Sequence, residues 1–538
     1  MQSGIKYLEP RVNVVESTGK SRVVSVGGKF INVRAEPSTN YGSINSQPVS
    51  ATWTVQPPTG SIVDRHMKIR YYIEVESVGG DMKLGLDDGP RQCPLSSIID
   101  YTQVSLNQQQ VNDNTAQGLH AMLCYGHHQS DRNKRISTTP AQPDQAQDYD
   151  TYAQDGTARN VFGKYGENCC EPSRGGFPVE IVTGTPTLAS KIRYVVTEPL
   201  FISPCLNGEE DEEGFVHVNQ LDVEVRFKSD VSRFMSHSST GNAITGFTVT
   251  QYKAPELLVT YIQPQDWQIV PPLQVIDYTK LLKRPRIVPD LAPGASDVQS
   301  SEAFRLNQIP NRMWVFVAHQ SKSATFSDSD SFCRIDKLEV EYNNNNGILS
   351  AATPQDLYDM SVRNGCNLDF SAFSKYRGSV VCASFANDIG MSTGEAPGVI
   401  SVNTITVNVS YTNMSKVLFK PELFVVFEMQ GTLTIVPGSA SVNLGNLTMQ
   451  EVVETKMSSA QLLPHQYEQL TGGSFWSSLK SIVNTVAKGV GMASGPASTV
   501  ASIIAPELVP VIETAGCVAK GVTALTGGKQ ARRTIRRR

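Results

Sequence analysis

Up to about residue 445, apolar residues recur at every second position, and that regularity confines the chain to sheet architectures. Leu221, Val223, Val225 and Phe227 alternate with Asp222, Glu224 and Arg226. Leu338, Val340 and Tyr342 alternate with Glu339 and Glu341, and Ile405, Val407, Val409 and Tyr411 with Thr406, Asn408 and Ser410. Period two sets one side of each strand on a core and the other in water, the arrangement of antiparallel sheets. Turn clusters such as 56–60 (QPPTG) and 343–347 (NNNNG) separate the runs. Many short strands without intervening helices predict an all-β protein of sandwiches, with jelly rolls among the options. The 18% charged and 40% hydrophobic content excludes wholesale disorder, and 41 Gly and 30 Pro favour strands and loops. One helix is predicted at 354–364, capped by Thr353, with Leu357, Tyr358 and Val362 facing inward.

Two polar stretches interrupt the alternation. Residues 106–160 are rich in Gln, Asn, Asp and Thr, and 204–214 contains the acidic run Glu209, Glu210, Asp211, Glu212 and Glu213. Both read as surface loops that interact with something. The Pro-rich segment 263–293 reads as the junction between two β-domains. After residue 446 alternation stops and helix-period patterns among small residues take over. Charge divides at a similar place. Residues 474–538 hold nine Lys/Arg against two Asp/Glu, and the remainder holds 38 basic against 49 acidic groups. The first residues show no basic-then-apolar signal pattern, and no apolar run of 18 residues predicts a membrane span. Nine cysteines, odd in number and irregularly spaced, read as reduced thiols. The sequons at Asn408, Asn413 and Asn446 are expected to stay unused without a secretory route.

Enzymatic leads fail in turn. No P-loop, GxSxG elbow, HExxH or dinucleotide GxGxxG is present. Cys124, His127 and His128, with Cys169 and Cys170, are metal-ligand residue types at spacings unlike structural zinc sites. The 209–213 run lacks the alternating ligands and turn glycine of an EF-hand. Asp388-Ile389-Gly390 stands without the glycine-rich and catalytic loops of a kinase. The expectation is a non-enzyme with no cofactor and no metal.

The ordered set Ile309 to Val317 (IPNRMWVFV), Ile335 to Asn344 (IDKLEVEYNN), Asp356-Leu357-Tyr358, Arg363-Asn364-Gly365, Gly378 to Cys382 (GSVVC) and Asp388-Ile389-Gly390 resembles the second barrel of double jelly-roll major capsid proteins. It is most similar to those of adintoviruses and Polinton-like DNA viruses, over about 80 residues. Trp53, Pro57-Pro58 and Asp64-Arg65 resemble the early part of the first barrel. The resemblance implies two jelly rolls side by side in one chain and homotrimers forming pseudo-hexagonal capsomers of an icosahedral shell. It also implies inter-strand loops, here 106–160 and 204–214, acting as towers and trimer contacts. Closed sandwiches hide their strand edges and present flat sides for lateral packing, which agrees.

The tail carries a second resemblance. Phe475, Trp476, Leu479, Ile482, Val483, Val486 and Val490 recur at three- and four-residue spacing, with Ser and Lys on the other side. Such a stripe suits an interfacial membrane helix, and equally a helix docked on a protein wall. It is flanked by Leu470-Thr471-Gly472-Gly473 before Ser474 and by Leu525-Thr526-Gly527-Gly528 before Lys529. Both match the pattern cut by adenovirus-type maturation proteases, and the segment after Gly473 resembles the mature start of the membrane-lytic minor capsid protein of adenoviruses. Residues 497–525 stay apolar and small-residue-rich, unlike a single lytic helix. The last ten residues hold Lys529, Arg532, Arg533, Arg536, Arg537 and Arg538 and no acid. These would neutralise phosphates without reading sequence, or serve as a nuclear-import signal.

The sequence thus predicts a double jelly roll: residues 1–275 as first barrel, 276–292 linker, 293–445 second barrel, 446–473 a linker to the cleavage site, 474–528 a partly helical membrane-active tail and 529–538 a basic peptide. The resemblance implies as partners other copies of the chain, penton and minor capsid proteins, a maturation protease, genomic DNA and a host membrane. It implies a place in the virion, with assembly in the host nucleus. A carbohydrate- or receptor-binding β-sandwich, such as a virion attachment protein, is the alternative reading. A hydrolase whose residues converge from distant strands is a further one.

Overall fold

The computed structural model describes residues 29–35, 44 and 50–445, apart from internal gaps of which the longest are 126–178, 206–213 and 264–271. The first half runs β1 (Lys29–Ala35), β2 (Ser50–Val55), β3 (Ile62–Val63), β4 (Lys68–Val78), β5 (Asp88–Pro90), α1 (Pro94–Ile98), β6 (Ile99–Leu106), β7 (Gln109–Asp113), α2 (Leu119–Met122), β8 (Glu180–Thr185), β9 (Leu188–Pro199), β10 (Leu221–Phe227), β11 (Met235–His237) and β12 (Gly246–Gln263). The second half runs β13 (Gln274–Ile287), β14 (Ser296–Ser300), β15 (Phe304–Gln308), β16 (Arg312–His319), β17 (Arg334–Tyr342), β18 (Asn345–Ile348), α3 (Pro354–Arg363), β19 (Val380–Ser384), β20 (Ile400–Thr412), β21 (Pro421–Val436) and β22 (Ser439–Leu444).

The strand orders identify the architecture. The first half forms two main antiparallel sheets, β1-β12-β4-β9-β8 and β2-β10-β6-β7, with a small β5–β11 pair, and the second forms β13-β21-β16-β19 and β14-β20-β17-β18. If the eight principal strands of each half are counted along the chain, both halves give 1-8-3-6 and 2-7-4-5. Two packed sheets in that order make a jelly roll. The chain therefore holds two in tandem: the alternation predicted all-β sandwiches, and the resemblance implied the double jelly roll. Leu221, Val223, Val225 and Phe227 are buried in the first core, beside Trp53 and Tyr71. Leu338, Val340, Val407, Val409 and Tyr411 are buried in the second.

The boundary between the barrels differs from the sequence reading. Most of the expected linker 276–292 is strand: β13 pairs with β21 from Gln274↔Ile435 to Ile287↔Glu422. This ribbon serves both cores. Ile276, Tyr278, Leu433 and Ile435 are buried in the first core, and Leu423, Val425 and Phe427 in the second. A strand of 14 to 16 residues spans roughly 50 Å, longer than one barrel requires. β22 then folds back on β21, and its Ala440 and Val442 pack against the first core. Proline at 285 is tolerated because β13 is the end strand of its sheet.

The predicted helix is present at Pro354–Arg363. Thr353 forms a capping box with Asp356, whose carboxylate accepts from the Thr353 backbone N–H at 2.8 Å. Leu357 and Met360 face inward as an i, i+3 pair. Val362 is 42% exposed, contrary to the sequence reading, because the helix buries only the stripe that meets β19 and β17.

Candidate functional site

For a protein of this architecture the functional surfaces are those that join barrels, and one such joint lies within the chain. β21 carries Phe424-Val425-Val426-Phe427, with no polar position, and is buried throughout 421–429. Val425 and Phe427 point into the second core, while Phe424 and Val426 point outward with Trp314, Phe316, Val380 and Cys382. That outer face is covered by the segment 119–125 from the first barrel, including Ala121 and Cys124. Tyr125 stacks on Trp314 at 5.6 Å and donates its hydroxyl to the Val380 carbonyl, and the Asn367 N–H donates to the Cys124 carbonyl at 2.9 Å. Each large apolar side chain covered in this way contributes about 2 kcal/mol.

Beside this apolar contact sits a buried charge cluster. Asp330, on the β16–β17 connection, and Arg91, from the first barrel, are both fully buried and pair at 3.0 Å. Arg233 also donates to Asp330, and His120 Nε2 lies 3.5 Å away. Arg377 donates to the Asp330 carbonyl at 3.0 Å and to the His120 carbonyl at 3.2 Å. Arg91 Nε donates to the Met235 carbonyl of its own barrel at 3.2 Å, while further guanidinium N–H groups meet backbone oxygens of the β16–β17 connection. Arg91 reaches those of Phe326 and Asp328 at 3.0 and 2.6 Å, and Arg233 those of Thr325 and Asp328 at 2.9 and 2.8 Å. Residues 324–330 of the second barrel are thus latched onto the first. Phe326 packs edge-on against Phe247, and the His237 N–H donates to its carbonyl at 3.0 Å.

Burial by itself would raise the Asp330 pKa, but His120, Arg91, Arg233 and Arg377 together hold it far below the usual carboxylate range. Burial pushes His120 down to about 4, with the guanidiniums acting in the same direction and Asp330 opposing. A cavity of about 100 Å³ adjoins the cluster, lined by His120, His319, Arg233, Phe316 and Phe332. Elsewhere in the first barrel Glu198 is buried and accepts from the Leu95 and Ser96 backbone N–H groups at 3.0 and 2.9 Å. Burial raises its pKa to about 7 against those hydrogen bonds.

The sequence candidates are distributed differently. The cleavage residues (Leu470, Gly472, Gly473, Ser474, Leu525, Gly527, Gly528, Lys529), the membrane stripe 475–490 and the basic end 529–538 lie outside the described residues. So do His127, His128, Cys169, Cys170 and the acidic run 209–213. Cys124 is buried in the inter-barrel contact, where its thiol donates to the His120 carbonyl at 3.2 Å. Asp388 accepts from Asn364 and from the Ser384 N–H, both at 2.8 Å, so it ties a local turn together. The stretch 106–160, expected to be an outward loop, begins as strand β7 and then supplies the 119–125 seam. Its short apolar run, 121–125 (AMLCY), is the signal that could have revealed this. The Arg91–Asp330 pair joins residues 239 positions apart and leaves no local trace.

Known proteins match both halves. The family described as Sputnik virophage major capsid protein 1st domain matches residues 32–262, and the major capsid protein V20 C-terminal domain matches 287–431. Capsid protein V20 of Sputnik virophage is 27% identical over 519 residues, covering 89% of this chain and 85% of that protein. Among solved structures, a chain of the Sputnik virophage cryo-EM structure superposes with a TM-score of 0.71 at 26% identity, over 84% of this chain and 95% of that one. The mavirus major capsid protein gives 0.64 at 14% identity, over 84% and 98%, a likeness of fold. Fold and matches together define a viral major capsid protein of the double jelly-roll type. Within that class its likeness is to the virophage proteins. These relatives are structural proteins, and the chain is not an enzyme.

Proposed function

We propose that the chain builds an icosahedral shell from homotrimeric, pseudo-hexagonal capsomers. The observation that carries this reading is the fusion of two jelly rolls of identical strand order through a shared β-ribbon and a buried latch. Such a fusion fixes the two barrels as one rigid building block. Three such blocks supply six barrels, and a head-to-tail contact that closes gives a ring. Native mass spectrometry of the full chain tests it: a stable trimer is expected, and a monomer over a wide concentration range would overturn it.

The tail extends the reading. Cleavage after Gly473 and Gly528 would release 474–528, whose Phe475, Trp476, Leu479, Ile482, Val483, Val486 and Val490 stripe suits a membrane interface. Tethering to the shell would keep the peptide inactive until proteolysis. Incubation with a Gly-Gly-specific maturation protease should cut both bonds, and two intact bonds would remove this part. Lys529 and the five arginines at 532–538 would hold the genome or direct nuclear import. A phosphate-binding role requires DNA affinity that falls steeply with salt. Penton and minor capsid proteins would complete the particle.

A further inference from the structure

The contact inside the chain has an unfilled counterpart. Because both barrels share one strand order, the sheet β12-β4-β9 of the first corresponds to β21-β16-β19 of the second. The outer face of the latter is covered by 119–125, part of the connection between the fifth and sixth principal strands of the first barrel. The corresponding face of the first barrel is open at Tyr252 on β12, 40% exposed, and β8, three strands along the same sheet, leaves Val182 exposed. The corresponding connection of the second barrel, between β18 and β19, also displays apolar side chains to solvent, Val362 and Phe370. An open face and an open covering segment on one rigid block are the two halves of a head-to-tail contact.

The face is already organised. Arg193 is held by Glu74 at 2.8 Å and lies 5.0 Å from the Tyr252 ring centroid. Lys253 lies 4.2 Å from the Tyr72 ring, and Tyr72 donates to Glu256 at 3.0 Å. Tyr and Arg held in place before contact lose little entropy on binding and are the residues that anchor interfaces. The charges balance: Arg70, Lys191, Arg193 and Lys253 stand among Glu74, Glu76, Glu180 and Glu256. A balanced face offers no net field to a nucleic acid or an anionic membrane, and fits a protein surface of mixed charge such as the segment that carries Phe370 with Asp359, Arg363, Asp369 and Lys375. Its polarity relative to the Phe316–Phe424 face also has a reason. The apolar face is covered as the chain folds, whereas this one must stay soluble until a second molecule arrives.

We propose that a second copy of the chain docks here, the α3–Phe370 segment of its second barrel lying on the Tyr72–Arg193–Tyr252 face of the first. Repetition of this contact makes the joints between chains equivalent to the joint within each chain. The inference rests on the capsomer reading and adds the surfaces.

Photoreactive benzoylphenylalanine at position 252 of the full chain, in a mixture of unlabelled and ¹⁵N-labelled copies, tests it directly. Crosslinks carrying mixed isotopes and ending within residues 354–377 are expected. In parallel, Arg193→Glu with Tyr252→Ser, and separately Phe370→Ser, should each weaken trimer association at least roughly 30-fold. Arg193→Glu also loses its pair with Glu74, so Tyr252→Ser alone, which leaves that pair intact, is the control that should weaken association with monomer melting unchanged. A wild-type trimer whose crosslinks are absent, intramolecular or elsewhere, or which survives these substitutions, overturns the inference and leaves the capsomer reading standing. A wild-type chain that stays monomeric overturns both.

Discussion

Replacing Asp330 by Asn removes one charge and almost no volume from the centre of the inter-barrel latch. Asp330 is fully buried, as is Arg91, and Arg233 is partly buried. The guanidiniums of Arg91 and Arg233 would then keep only neutral acceptors, the Asn amide oxygen and backbone carbonyls. Breaking a buried pair by neutralising one member costs about 3–5 kcal/mol, because the remaining charge stays desolvated. If both barrels unfold together, unfolding entropy over ~400 ordered residues is about 0.8 kcal/mol per degree, so melting should fall by about 4–6 °C. The pH dependence adds an internal control. A carboxyl held below its unfolded value gives stability that is full above the unfolded pKa of about 4 and is lost as pH falls from there. The gap between wild type and Asp330→Asn should therefore be constant above about pH 5 and narrow below about pH 4. Differential scanning calorimetry across pH 3–8 measures it, with amide hydrogen exchange of 119–125 reporting on the seam. An unchanged melting temperature, or a gap independent of pH, would refute the assignment of this charge as the latch.

His120 is shifted down to about 4, so its protonation favours the unfolded chain, and stability is lost as pH falls from 6.5 to 4. His120→Gln should remove up to about 3 kcal/mol of that slope in the same calorimetric series. Leu433→Ala lies on a strand of the second barrel yet opens a cavity in the first core. It should cost about 2–5 kcal/mol, with faster exchange in β6 and β10 than in β17. Gly378 has φ +85°, and a Cβ there would stand 2.0 Å from the Phe332 carbonyl oxygen. Gly378→Ala should cost upwards of about 2 kcal/mol by thermal melting. Thr353→Ala breaks the capping box of α3 and should cost about 1 kcal/mol, visible as faster exchange in the first helical turn.

The open face on the first barrel and the covered face on the second show how one fold solves two problems. Phe316 and Phe424 stack at 4.9 Å under a segment of the same chain, so their burial is guaranteed at any concentration. Tyr72 and Tyr252 meet edge-on at 5.9 Å among ion pairs that keep them compatible with water. The same strand positions therefore carry different chemistry according to when they are covered.

The alternation at 221–227, 338–342 and 405–411 determined strand, facing and core, because period two is a local property that each segment declares for itself. Thr353 and Asp356 likewise declared the start of α3. The run 423–427 (LFVVF), by contrast, gives no alternation to read, and only the structure shows it buried on both faces. That the expected linker is a ribbon shared by two cores follows from pairing residues about 160 positions apart, as in Gln274 with Ile435. That Val362 faces outward depended on which stripe of α3 met β19. That Arg91, Arg233 and Arg377 surround one carboxylate depended on loops from both barrels arriving at one point. Local patterns fix which side of an element is apolar. Only the tertiary structure decides which other surface meets it, because that choice is made by burial and charge compensation between segments far apart in the chain.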